Sequence, residues 1–102
     1  MSEKISIYIP AYNAEKTIEQ SINSIKEQSI NVNEIIVIND NSNDNTKEII
    51  KKISDIKIIT NKNNMGLGYN RNLALEESKN DIVGAIDADV VLDKYWLETL
   101  LK

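Results

Sequence analysis

The sequence predicts an α/β fold, a Rossmann-like parallel sheet of about four strands with flanking helices. Three observations carry this. Short β-branched runs recur at 5–9, 34–38, 56–60 and 82–86, and stiff β-branched side chains favour strands. Between them lie segments with apolar residues at helical spacing, and strict strand–helix alternation implies a parallel sheet wound by right-handed crossovers. The length, 102 residues, suits one domain with a real core of modest stability.

Taken in order, Ile5, Ile7 and Ile9 alternate with Ser6 and Tyr8, the period-two pattern of a strand. Pro10 is expected to stop it, since proline lacks a ladder donor. Asn13 is a candidate helix N-cap, and Ile18, Ile22 and Ile25 give the helix over 14–28 one buried face. The continuous apolar run 34–38 fits a strand covered on both faces. A polar loop over 39–45 follows, with Ser42 or Asp44 as cap for a helix over about 45–54. After the third strand and a turn-rich connection over 61–64, a helix over about 67–79 is expected to bury Leu67, Leu73 or Ala74, and Leu75. The fourth strand follows, and Trp96, Leu97, Leu100 and Leu101 suggest a short terminal helix, with Trp96 read as core.

Composition excludes several chemistries. There is no His and no Cys, which removes His-based acid–base work, His metal ligands, thiolate nucleophiles, disulfides and zinc-thiolate sites. The net charge of −4 argues against a nucleic-acid partner. No signal peptide or membrane-length apolar run is visible, which fits a cytoplasmic location.

In a parallel sheet, ligands lie beyond the carboxyl ends of the strands. The residues collected there are Pro10 to Asn13 and Glu15, then Asn39 to Ser42 and Asp44, then Asn61, Asn63, Asn64 and Gly66, and last Asp87 and Asp89. The final pair, separated by Ala88, offers two hard oxygen donors suited to a divalent cation carrying a diphosphate. Four segments in order then resemble family 2 glycosyltransferases of the GT-A fold. Ile9-Pro10-Ala11-Tyr12-Asn13 with Glu15 is the first. The stretch from Ile36 to Thr46 is similar to V-V-D-D-G-S-x-D-x-T. Asn64-Met65-Gly66 through Arg71-Asn72 is similar to N-x-G-x-x-x-A-R-N, and Asp87-Ala88-Asp89 to the family's D-x-D.

The resemblance implies a nucleotide-diphospho-sugar domain, with a UDP-sugar as ligand and Mn²⁺ or Mg²⁺ as cofactor. Pro10, Ala11, Tyr12 and Glu15 would border the nucleobase. Asp40 would accept from the uracil N3–H. Asn64 and Gly66 would shape the third loop, and Arg71 would face base or diphosphate. Asp87 and Ala88 would line the ribose or donor sugar, and Asp89 would hold the metal, which assists departure of the diphosphate. Blander readings stand beside these: turn and cap roles for Asp40, Ser42 and Asp44, packing for Tyr12, a solvated surface for Arg71, and a positive-φ turn for Gly66.

There are departures from the pattern. Asn39 stands where Asp is common, Asn41 and Asn45 where Gly is common, and Asn70 where Ala is usual. Asn enters the left-handed region more easily than most residues. The resemblance also implies an acceptor-binding half and a catalytic base after the D-x-D. Only Asp93 and Glu98 follow it as acidic candidates, so the chain is read as the donor-binding half of an inverting transferase. Such a half would leave the fourth strand as an open edge, and a homodimer covering it is expected. The alternatives are a nucleotide- and metal-binding module without turnover and a purely structural domain. A nucleotidyltransferase ranks last, because the first loop lacks a Gly-rich, basic character.

Overall fold

The computed structural model describes residues 4–102. Eight elements alternate: β1 (Ile5–Ala11), α1 (Ile18–Lys26), β2 (Glu34–Asn39), α2 (Thr46–Lys51), β3 (Lys57–Thr60), α3 (Leu67–Glu77), β4 (Ile82–Ala85) and α4 (Trp96–Leu100). The strands form one parallel sheet in the order β3-β2-β1-β4, as the alternation predicts. β4 lies at one edge.

Period-two geometry divides the side chains of β1 and β2 between two faces. Ile5, Ile7, Ile9 and Ala11 join Ile35 and Val37 on one face, packed against Ile18, Ile22 and Ile25 of α1 and Ile50 of α2, with Leu97 of α4 in the same cluster. Tyr8, Ile36 and Ile38 occupy the opposite face with Ala74 of α3. β2 is therefore apolar over 35–38, where both of its faces are covered. Trp96 packs at the margin of the larger cluster, in keeping with its reading as core.

Three expectations are corrected. β1 runs through Pro10, which pairs in register with Ile38. The Tyr8 carbonyl accepts from Ile86 N–H on the β4 side. Pro10, two residues on, faces the same side, where pairing with β4 has already ended at Ala85. Its missing donor thus leaves no gap in the ladder.

Asn13 does not cap α1. Thr17 and Ile18 N–H both return to the Ala14 carbonyl, so the chain winds into a tight turn before the helix begins at Ile18, and Asn13 sits at φ 50° outside it. Both α1 and α2 are accordingly shorter than their apolar spacing suggests.

The third correction concerns α3. Leu67 and Leu75, expected inside, are 74% and 54% exposed, whereas Asn70 and Ala74 are buried and Leu73 is partly so. Ala74 lets the helix approach the sheet closely over Tyr8, Ile36 and Ile38. Asn70 has a polar partner, described below, and that partner fixes which side of α3 turns inward.

Candidate functional site

The segments leaving the four strands share one rim. The first two are laced together. Three consecutive N–H groups of the first loop each find a side-chain acceptor in the second: Asn13 on Ser42 Oγ at 3.0 Å, Ala14 on Thr46 Oγ1 at 2.9 Å and Glu15 on Asp44 Oδ2 at 3.2 Å. In return, Asn43 N–H donates to Asn13 Oδ1 at 2.7 Å. Asp44 also accepts from Thr46 N–H at the start of α2, 2.9 Å, but the N-cap position belongs to Asn45, which makes no side-chain cap bond, so neither Ser42 nor Asp44 is the cap expected. Burial tends to raise the Asp44 pKa, but the bonds from Thr46 and Glu15 outweigh it and hold the carboxyl below its usual range.

Asn41 adopts φ 61°, as its place at a usual Gly position suggests, while Asn45 has an ordinary φ of −84°. Asn39, buried, accepts Ser42 N–H on its side-chain oxygen. The polar spacing of this motif thus builds a rigid platform from which Tyr12, 49% exposed, stands free.

Asp40 links the second loop to the third. It is 4% exposed. Its Oδ1 accepts from Asn61 Nδ2 at 2.9 Å and Met65 N–H at 2.8 Å, and its Oδ2 from Gly66 N–H at 3.0 Å. Asn61 Nδ2 also donates to Asn70 Oδ1 at 2.7 Å, and Asn64 Nδ2 reaches the Asp40 carbonyl at 3.4 Å. Burial pushes the Asp40 pKa up. The bonds from Met65, Asn61 and Gly66, with the Asn70 amide nearby, more than reverse this, so the group is held below the usual carboxylate range. Gly66 has φ 87°, a conformation that costs a residue with a side chain far more than glycine. A carboxylate offers about four lone-pair positions, so three protein donors leave one, on Oδ2.

The fourth segment is built differently. Asp87 and Asp89 are exposed while Ala88 between them is buried. Val90 N–H closes a turn on the Asp87 carbonyl at 3.1 Å. No side-chain hydrogen bond or ion pair engages either carboxylate among the described residues. Arg71, exposed on α3, is likewise free of an ion pair there.

The charges of Arg71 and Asp87 both act on Tyr8. Burial raises the Tyr8 pKa, Arg71 lowers it and Asp87 raises it, with a net upward shift. Tyr8 is a rim neighbour that sequence reasoning passed over as a strand residue. Also missed were Thr46, Asn61 and Asn70 as network members, together with the hydroxyls of α1 that bond the fourth segment. Thr46 and Asn61 lay in segments already singled out, but only spatial proximity gives them these partners.

The free carboxylates fit a hard divalent cation. Mg²⁺-type ions are usually held by one or two carboxylates plus substrate phosphates. No cluster of three or more acidic, His or Cys side chains occurs among the described residues, so phosphate oxygens would have to complete the shell. A groove of about 390 Å³ borders the third loop, lined by residues that include Asn61, Met65 and Tyr69. A larger one of about 490 Å³, lined by Ser24, Glu27, Leu92 and Lys94, includes none of these rim residues.

Residues 6–102 match the family model of Glycosyl transferase family 2. The chain belongs to this family. It is 39% identical over 102 residues to the UDP-Glc:alpha-D-GlcNAc-diphosphoundecaprenol beta-1,3-glucosyltransferase WfaP of Escherichia coli, covering 98% of this chain and 39% of that protein. Among solved structures, S. aureus TarS 1-349 in complex with UDP-GlcNAc superposes with a TM-score of 0.86 at 30% identity, over 96% of this chain and 30% of that one. The mannosyltransferase PcManGT of Pyrobaculum calidifontis, in complex with GDP-Man and Mn2+, shares the fold with a TM-score of 0.83 at 22% identity, over 92% of this chain and 30% of that one. The fold is GT-A. The chain spans well under half the length of these relatives.

Proposed function

We propose that this family 2 chain is a single nucleotide-diphospho-sugar-binding domain that takes a UDP-sugar with Mn²⁺ or Mg²⁺. In the whole protein it is the donor half of an inverting glycosyltransferase. The observation that carries the reading is the contrast on the rim. Asp87 and Asp89 are exposed without side-chain partners, while the carboxylates of Asp40 and Asp44 are engaged. Nucleotide-sugar complexes of TarS and PcManGT support the ligand class.

In this reading Pro10, Ala11, Tyr12 and Glu15 border the base. Asp40 uses its remaining Oδ2 lone pair to accept the uracil N3–H, an atom that only donates. Asn64 and Gly66 hold the third loop beneath it. Arg71 offers its fork of donors to base or diphosphate. Asp87 and Ala88 face ribose or sugar, and Asp89 binds the ion. A bound cation would neutralise the leaving diphosphate.

A base for the acceptor hydroxyl must lie within hydrogen-bond reach of it. Asp93 accepts Tyr95 N–H and Glu98 accepts Ser29 Oγ–H. Both carboxylates are therefore already engaged, which favours donor binding rather than turnover by these residues. The open edge of β4 is further proposed to pair with a second copy as a homodimer. Light scattering that finds only monomer over a wide concentration range rejects that pairing.

Calorimetric titration of UDP with and without Mn²⁺, beside Asp89→Asn, tests the main reading. Metal-dependent binding that the substitution abolishes is expected. No binding under either condition overturns it.

A further inference from the structure

α1 has a second face beside its isoleucine stripe. Thr17, at the helix start, and Ser21, Ser24 and Gln28 recur at i, i+4, i+7 and i+11, one side of a helix. Ser21 is fully buried, and Ser24 and Gln28 nearly so. Thr17 Oγ1–H donates to the Ala88 carbonyl at 2.9 Å. Ser21 Oγ lies 2.9 Å from the same carbonyl and 2.6 Å from that of Val90, so its single proton is shared between the two. Farther along, Gln28 donates to the Asp93 carbonyl at 2.7 Å and accepts Leu97 N–H at 2.9 Å.

The Ala88 carbonyl belongs to the peptide that joins Ala88 to Asp89. Two hydroxyls on one oxygen therefore fix the backbone between the two free carboxylates, and the Ser21 contact to Val90 fixes the far side of the same turn. Carboxylates otherwise unbound to protein are set in place through their main chain alone.

We propose that Thr17 and Ser21 are positioning residues for Asp87 and Asp89, holding the Ala88–Asp89 peptide so that the carboxylates meet a divalent cation on a nucleotide diphosphate without first reorganising. This inference rests on the donor-site reading above. Neither hydroxyl is a candidate ligand. Each acts through the turn, as partners beyond the ligands of a metal site do, where removal typically costs roughly 10- to 100-fold in affinity.

The experiment measures UDP affinity with and without Mn²⁺ for the full chain and its Thr17→Val, Thr17→Ser, Ser21→Ala and Ser24→Ala variants. Amide hydrogen exchange at Val90 is followed in parallel. Ser24 supplies the control, because its hydroxyl donates within α1 to the Ser21 carbonyl.

Thr17→Val and Ser21→Ala are expected to cut the Mn²⁺-dependent gain in UDP affinity about 10-fold. Metal-free affinity should change less than about twofold, and Val90 exchange should quicken. Thr17→Ser restores the gain, and Ser24→Ala keeps it. Equal losses with and without metal in Thr17→Val overturn the inference, since they mark a general loosening. A gain that survives both hydroxyl deletions overturns it alone and leaves the donor site standing. A wild-type chain with no Mn²⁺-dependent gain sinks the donor-site reading and this inference together.

Discussion

Asp40 and the Asp87/Asp89 pair are carboxylates on one rim, held in opposite ways. Asp40 is buried under three protein donors. The other two stand in solvent, with only their backbone fixed. A carboxylate engaged by three donors stabilises the protein and keeps one acceptor position, enough for a single N–H but not for a cation. One left free contributes little to folding and keeps its charge for a cation.

The largest expected effect comes from removing the engaged group. Asp40→Ala removes one acceptor of the buried Asn61 amide and the acceptor of the part-buried Met65 and Gly66 N–H groups. Hydrogen bonds to charged groups contribute about 1.5–3 kcal/mol each, non-additively, so a loss of about 3 kcal/mol is expected by urea denaturation. A variant as stable as wild type would show that the third loop does not depend on this carboxylate.

Acid sharpens the same contrast. The folded-state pKa values of Asp40 and Asp44 are depressed. Their contribution is therefore complete above the unfolded value of about 3.9 and disappears as pH falls through the folded values. The urea midpoint should fall as the solution is taken from pH 6 to below pH 3, and Asp40→Asn should flatten that fall. An unchanged slope in the variant would assign the acid sensitivity to other groups, Glu34 foremost. Its pKa is also lowered: burial raises it, but the bonds from Lys79 N–H and Ser6 prevail.

Asp87→Asn with Asp89→Asn is the reciprocal test. Surface substitutions away from specific contacts usually stay within about 0.5 kcal/mol, so the double variant should unfold as wild type does while losing Mn²⁺-dependent UDP affinity. A large stability change would mean that these carboxylates have partners in solution and are not held in reserve.

Much of this arrangement was legible in the sequence. Isoleucine positions predict the four strands and the first two helices, leucines with Ala74 or Trp96 predict the last two, the order of the motifs puts the acidic groups on one rim, and the alternation makes the sheet parallel. Less legible were the pairings that depend on three-dimensional neighbours. Ser42 and Asp44 read as caps, and the spacing shows neither their grip on the first loop nor that of Thr46. The isoleucine stripe of α1 says nothing of Thr17 and Ser21, because a buried hydroxyl and a solvated one look alike in sequence. Pro10 read as a strand terminator because its facing, toward the end of β4, depends on where a distant strand stops.

α3 gives the smallest expected effect and extends the contrast to packing. Helical spacing nominated Leu67 and Leu75 for the core, yet the inward positions belong to Asn70 and Ala74. The physical reason is the Asp40 network. Asn61 shares its amide between Asp40 and Asn70, and turning the leucines inward would break that chain and leave buried polar atoms unpaired, at about 1–3 kcal/mol for each group. The leucines lose less by staying outside than the network would lose by opening. Leu67→Gln and Leu75→Gln should accordingly change unfolding free energy by less than about 0.5 kcal/mol, while Asn70→Leu, which restores an apolar pattern, should cost more than either. If the leucine substitutions destabilise more than Asn70→Leu does, α3 turns its leucine face inward and the polar network does not set its orientation.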